Sequence, residues 1–128
     1  MKIAFTSKTG EMIDQHFGMA ESFSIWELGP YEAYSLGTLQ VEKSDSDEED
    51  RISARVAVLT DCAIVYTMQI GGPAAAKLVS HKIQPMKTNT EVPISEIVTK
   101  LQQVLQRNPP PWLKKAMFKG KAMNFQED

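Results

Sequence analysis

The sequence predicts an α/β fold built on a five-stranded mixed sheet. Three observations predict it. Three strand-like segments open the chain, and helical and strand-like patterns alternate after residue 46. Residues 62–68, CAIVYTM, form a nearly unbroken apolar run with β-branched members, the pattern of a central strand buried on both faces.

Residues 2–6, KIAFT, read as a short buried strand, and a loop follows from Ser7 to Gly18. Residues 21–28 form a second strand, in which Phe23, Ile25 and Trp26 supply the apolar and aromatic positions. Gly29-Pro30 is a turn signal. The spacing then predicts a strand over 31–41, with Tyr34, Leu36, Leu39 and Val41 apolar and Gly37 marking a bulge or bend. Ser46 followed by Glu49 fits a capping box at the start of the first helix. Ile52, Val56 and Leu59 give that helix its buried face.

The apolar run over 62–68 is the fourth strand. Gly71-Gly72-Pro73 opens the next helix, with Pro73 suited to its first position and the body over 74–81. Residues 83–86 read as a short strand. Pro93 starts a helix whose apolar positions, Ile94, Ile97, Val98, Leu101, Val104 and Leu105, fall on one face. Asn108 and three prolines stop it. Trp112, Leu113, Ala116 and Met117 predict a short amphipathic helix, and the last ten or so residues are expected to fray. Residues 1–107 thus form an α/β domain, and 108–128 a short helix and flexible tail. With the strands numbered as they occur, the expected order is 3-2-1-4-5, with 1, 4 and 5 parallel and 2 antiparallel to 1. This is a ribonuclease H-like three-layer arrangement.

Composition narrows the function. The chain has 128 residues, 42% of them hydrophobic, and no apolar run approaching the ~20 residues that span a bilayer. The start lacks the apolar stretch of a secretory signal, so the cytoplasm is the expected location. A net charge of −2 argues against nucleic acid as a partner. Charge is unevenly spread. Asp45, Asp47, Glu48, Glu49 and Asp50 form an acidic run, and Lys114, Lys115, Lys119 and Lys121 a basic tail; both read first as solvation of exposed segments, and the tail alternatively as a dock for an acidic partner. One cysteine, Cys62, excludes an intrachain disulfide. Cys62, His16 and His81 together fall short of the about four ligands that a protein-only iron–sulfur or structural zinc site needs. A metal centre held here must arrive with most of its coordination filled.

The expected topology puts a switch point at the carboxyl ends of strands 1 and 4, where open α/β sheets bind ligands. Two loops meet there, Ser7 to Gly18 and Gln69 to Pro73. His16 is the most informative residue, because an imidazole suits iron near neutral pH. The glycine pair before a helix N-terminus exposes N–H groups that favour an anion. His16, Ser7, Gly71 and Gly72 form the candidate cofactor-binding set, with His16 as the metal-contacting side chain. Phe17 packs the loop or shields the site, and Met12, Met19 and Met68 are soft contacts nearby. Cys62 is the alternative soft ligand, a thiolate, but at the opposite end of its strand it reads rather as a small buried hydrophobe, and His81 reads as a helix-end cation.

Four segments, DQHFG at 14–18, DCAIVY at 61–66, IGGPAA at 70–75 and NPPPWLKKAM at 108–117, resemble the NifX/NafY family of dinitrogenase iron–molybdenum cofactor biosynthesis proteins. The resemblance covers about residues 1–118. It implies a non-enzymatic carrier that reversibly binds the NifB cofactor, an iron–sulfur precursor, or a later form such as the iron–molybdenum cofactor. It implies NifB and NifEN as partners, with the nitrogenase component as a further one, and a monomer as the simpler state for a shuttle. The family's cluster-contacting histidine maps onto His16. A molybdenum or a vanadium system is compatible with it. A ligand-poor chain suits transfer, since a full set of thiolates would trap the cargo.

Two other classes compete. A protein-interaction module would act through the Trp112 helix and basic tail without touching a cluster. A metal-dependent nuclease would need clustered carboxylates, whereas strand 1 has none and Asp14, Glu27 and Asp61 are dispersed.

Overall fold

The computed structural model describes residues 1–41 and 47–119. Among these residues no helix is long and apolar enough to cross a membrane. The strands are β1 (Lys2–Thr6), β2 (Met12–Ile13), β3 (Ser22–Leu28), β4 (Ala33–Gln40), β5 (Ile64–Thr67), β6 (Gln84–Lys87) and β7 (Val92–Pro93). The helices are α1 (Glu48–Val58), α2 (Gly72–Ser80), α3 (Ile94–Gln106) and α4 (Pro111–Met117), and Phe17–Met19 form one 3-10 turn.

Five strands make a mixed sheet in the order β4-β3-β1-β5-β6. β1 pairs antiparallel with β3 and parallel with β5, and β5 runs parallel to β6. Alternation along the strands splits the core into two layers. Ala4, Phe23, Ile25 and Val65 face Ile52 and Val56 of α1 and Ala74 and Leu78 of α2. Ile3, Phe5, Ile64 and Tyr66 face Ile94, Val98, Leu101 and Leu105 of α3, and Leu113 of α4 joins that same layer. Phe5 and Tyr66 stack with ring centroids 5.6 Å apart.

The structure moves several boundaries. Asp47 caps α1, its side chain accepting from the Asp50 N–H; Ser46, the expected cap, lies outside the described residues, as do Asp45 and residues 120–128. Strand β5 begins at Ile64, and Cys62 is a buried residue leading into it. Helix α2 begins at Gly72, so Pro73 is its second residue, where a missing N–H is still harmless. Gly37 does sit at a bulge. Ile25 faces Gly37 and Trp26 faces Ser35, leaving Leu36 extra, and Gly37 takes φ +102°. Tyr34, Leu36 and Leu39 are exposed on β4, which is the outermost strand on its side of the sheet.

The β2–β7 pair went unread in the sequence. Met12 pairs with Pro93 and Ile13 with Val92. Two-residue strands are too short to show alternation. Their effect is to moor the loop after β1 beside the start of α3, where the Ile94 N–H donates to the Glu11 carbonyl at 2.8 Å.

Candidate functional site

The loop after β1 is built from local hydrogen bonds. Ser7 Oγ accepts from the Gly10 N–H at 2.9 Å, and Asp14 Oδ1 from the Lys8 N–H at 3.1 Å. Gly10 takes φ +87°, which turns the chain back toward the sheet. From Ile13 to Phe17 burial alternates. Ile13, Gln15 and Phe17 point inward and His16 outward, its backbone extended at φ −78°, ψ 146°. Phe17 is fully buried and tilts against Phe23 at 5.8 Å. The inward neighbours therefore hold the imidazole in solvent.

A buried polar knot fixes this loop to the one after β5. The Gln15 carbonyl receives the Thr6 hydroxyl at 2.8 Å, the Met68 N–H at 3.1 Å, and stands 3.0 Å from the Thr67 hydroxyl. The Phe17 N–H donates to the Gln69 carbonyl at 2.9 Å. Both threonines are fully buried at the carboxyl ends of their strands. Such bonds contribute about 1 kcal/mol each, and more is lost when one partner is left orphaned. Gln15 Oε1 is itself buried with no hydrogen-bond partner among the described residues. On the other flank, Arg55 of α1 reaches across, its Nε donating to the Ala20 carbonyl at 3.1 Å. Burial and the neighbouring Arg51 lower the Arg55 pKa from its ordinary value.

The result is an open cleft of about 410 Å³ walled by three elements: His16, Gly18 and Met19 from the first loop, Gln69, Ile70, Gly71 and Ala74 from the second loop and α2, and Glu48, Arg51 and Ile52 from α1. His16 and Gly71 share this cleft. Gly72 lies beside it as the first residue of α2. Ser7 does not line it; the residue is buried, with its hydroxyl and carbonyl engaged by Gly10 and Ser22. Its role there is to close the turn, its hydroxyl accepting from the Gly10 N–H.

Of the methionines, Met19 is largely exposed on the cleft wall, whereas Met68 packs against the α3 layer and Met12 sits in β2. Cys62 lies at the other end of β5, and burial pushes its thiol up to about 11. His81 closes α2, its Nδ1 2.9 Å from the Lys77 carbonyl. Arg51 and Glu48 were missed as site residues. Glu48 belongs to the acidic run, which reads as solvated surface, and Arg51 directly follows it; only the packing of α1 against α2 brings these first turns to the cleft.

Chemically, the cleft offers one imidazole, one guanidinium and the N-terminus of α2, with the Glu48 carboxylate on its α1 wall. The first intrahelical bond of α2 runs from Ala75 N–H to the Gly71 carbonyl, so the N–H groups of Gly72 and Ala74 have no helical acceptor. No side chain caps this end and no acidic residue lies in its first turn. Among the described residues, no group of three or more His, Cys, Asp or Glu is placed to hold a metal ion. The site suits an anionic body that brings its own internal bonding and takes a single nitrogen ligand.

Residues 1–104 match the family described as dinitrogenase iron-molybdenum cofactor. The chain is 36% identical over 132 residues to protein NifX of Herbaspirillum seropedicae, covering 100% of this chain and 90% of that one. It is 41% identical over 117 residues to protein NifY of Azotobacter vinelandii, covering 91% of this chain and 48% of NifY, so it spans about half that relative's length. The crystal structure of PH0822 shares the fold, with a TM-score of 0.65 at 16% identity over 88% of this chain and 98% of that one.

Proposed function

The chain belongs to the dinitrogenase iron–molybdenum cofactor family, and from that premise we propose that it takes part in iron–molybdenum cofactor biosynthesis as a non-enzymatic carrier. Its cargo is a preassembled iron–sulfur precursor such as the NifB cofactor, or the later iron–molybdenum form. On this reading it acts in the cytoplasm, receives cargo from NifB and delivers it to NifEN or the nitrogenase component. The three-layer arrangement is read as ribonuclease H-like, with the cofactor site at the switch point between β1 and β5.

The observation that carries this reading is the convergence in one cleft of His16, Arg51 and the uncapped N-terminus of α2. His16 supplies one nitrogen to an iron at the cluster surface. Arg51 and the Gly72 and Ala74 N–H groups attract the cluster's negative charge and its sulfides. One covalent ligand holds a cluster loosely, and a carrier must release what it binds.

The test is anaerobic titration of the purified protein with isolated NifB cofactor, followed by visible absorption and gel filtration, beside His16→Ala. Iron co-elutes with the unaltered protein and is lost, by at least about tenfold in affinity, from the variant. Equal retention by both would move the ligand elsewhere, and no retention by either would end the carrier reading.

A further inference from the structure

A second concavity lies at the opposite end of β5. It holds about 370 Å³ and is lined by Ala63, Val79, Ile83, Trp112, Ala116 and Phe118, with Lys82, Lys115 and Lys119 among its walls. Val79 is 57% exposed, Phe118 50% and Trp112 37%, although each is large and apolar. We propose that this groove between α4 and the end of α2 docks an acidic, amphipathic segment of a partner protein.

Three features carry the proposal. The first is the charge. Among the described residues that line the groove, the only ionic groups are the three lysines, in a chain whose net charge is −2. Among the described residues, neither Lys82 nor Lys115 is in an ion pair. Asp61, the nearby acid that acts on Lys119, lies 4.0 Å from Lys2. A partner offering carboxylates around apolar anchors matches this pattern.

The second is the way the groove is braced. Lys119 Nζ donates to the carbonyls of Cys62 at 2.8 Å, His81 at 3.0 Å and Lys82 at 3.1 Å. This ammonium ties the end of α4 to the turn after α2, so the groove is held open in shape before any partner arrives.

The third is the backbone of Lys82. Helix α2 ends in a Schellman turn, in which Ile83 N–H donates to Leu78 O and Lys82 N–H to Val79 O, both at 2.9 Å. The left-handed position of that turn normally takes glycine. Here it takes Lys82 at φ 60°, a strained choice that plants a cation at the groove wall.

The groove and the His16 cleft lie at opposite ends of β5, roughly 20 Å apart along the strand direction. A partner seated in the groove leaves the cleft open, so docking does not depend on the cargo reading and is measured without cargo.

The probe is a synthetic helical peptide of about 14 residues with leucines at helical spacing and glutamates elsewhere. A control peptide carries lysines in place of the glutamates. Both are titrated into isotope-labelled full-length protein and followed by amide and indole NMR shifts. The glutamate peptide shifts the Trp112 indole and the amides around Val79 and Ala116, not those around His16, and binds more weakly as salt rises. Lys115→Glu weakens it at least about fivefold. Lys82→Gly also weakens it while raising the thermal midpoint, because the strain is relieved as the charge is lost. Equal binding of both peptides, binding of neither, shifts centred on His16, or shifts that follow protein concentration alone (a second copy covering the face) would each overturn the proposal.

Discussion

Two helices bring their first turns to one cleft with opposite chemistry. Helix α1 is capped by Asp47, whose carboxylate takes the Asp50 N–H at 3.0 Å, and its first turn carries Glu48, Glu49 and Asp50. Its dipole is already answered by its own side chains. Helix α2 starts at a glycine with no side-chain cap, no acid in its first turn and Pro73 at its second position. Its donors and its partial positive charge are left for something else. The difference teaches where an anion belongs. On the carrier reading proposed above it belongs against α2 beside His16, while the acidic start of α1, through Glu48, borders the cleft and repels charge that strays toward it. Arg51, one turn further along α1, restores attraction on that wall.

Giving α2 the cap that α1 has should break the contrast most sharply. Gly71 is extended at φ −77°, ψ 159°, and a Cβ there meets only Pro73 Cδ at an ordinary 3.9 Å. Gly71→Asp should therefore raise stability by about 0.5 kcal/mol in urea unfolding. It should also weaken cofactor binding by at least about tenfold in the same anaerobic titration. Opposite signs in the two measurements are the point. A parallel loss of both would mean only that the loop was damaged.

Removing the cap from α1 tests the other half. Asp47→Ala should cost about 1 kcal/mol of stability and leave cofactor binding undiminished, since this carboxylate serves its own helix. A large fall in binding without a fall in stability would place the anion at α1 instead.

Arg51→Gln should leave the unfolding midpoint nearly unchanged, because the side chain is exposed. It should weaken cofactor binding by about threefold at low salt, with the effect shrinking as salt rises. A salt-independent loss would point to a shape contact rather than attraction.

The smallest expected effect is at Cys62, the alternative soft ligand. Burial holds its thiol protonated up to about 11, against an ordinary 9.0, so thiol reagents at neutral pH should label it only as fast as the protein opens. The sign of the linked stability follows. The unfolded chain loses this proton first as pH rises, so stability falls between about pH 9 and 11 and is untouched below. Tyr66, pushed up to about 12 by burial, adds a loss of the same sign at higher pH. Cys62→Ser should remove the thiol part of that alkaline slope without altering cofactor binding.

Much of the fold was legible because it rests on periodic burial. The apolar run before Met68, the single helical face of 94–105 and the bulge at Gly37 are local patterns with one physical reading each. The exposure of Tyr34, Leu36 and Leu39 was not: the expected order already made theirs an edge strand, but three apolar side chains along one strand look like core residues. The β2–β7 pair was invisible for want of length. In the site, His16 and Gly71 stood out by residue type and by a loop position that the predicted topology made important. Ser7 was included for its place in the loop and is consumed by a turn. Glu48 was hidden in the acidic run, which sequence reads as solvation, and Arg51 directly follows it.

The sequence by itself determined the five strands of the main sheet and the four helices, though not the β2–β7 pair, that one cysteine and two histidines fall short of the ligands of a protein-only metal centre, and that a glycine pair opens a helix. These follow from residue type and spacing within a few turns of chain. Only the tertiary structure decided which walls the cleft has, that Thr6 and Thr67 lock the His16 loop through one carbonyl, and that Lys119 braces a groove at the far end of β5. Those depend on residues as far as 52 and 57 positions apart arriving at one place, and that follows from the packing of whole layers, which no local pattern encodes.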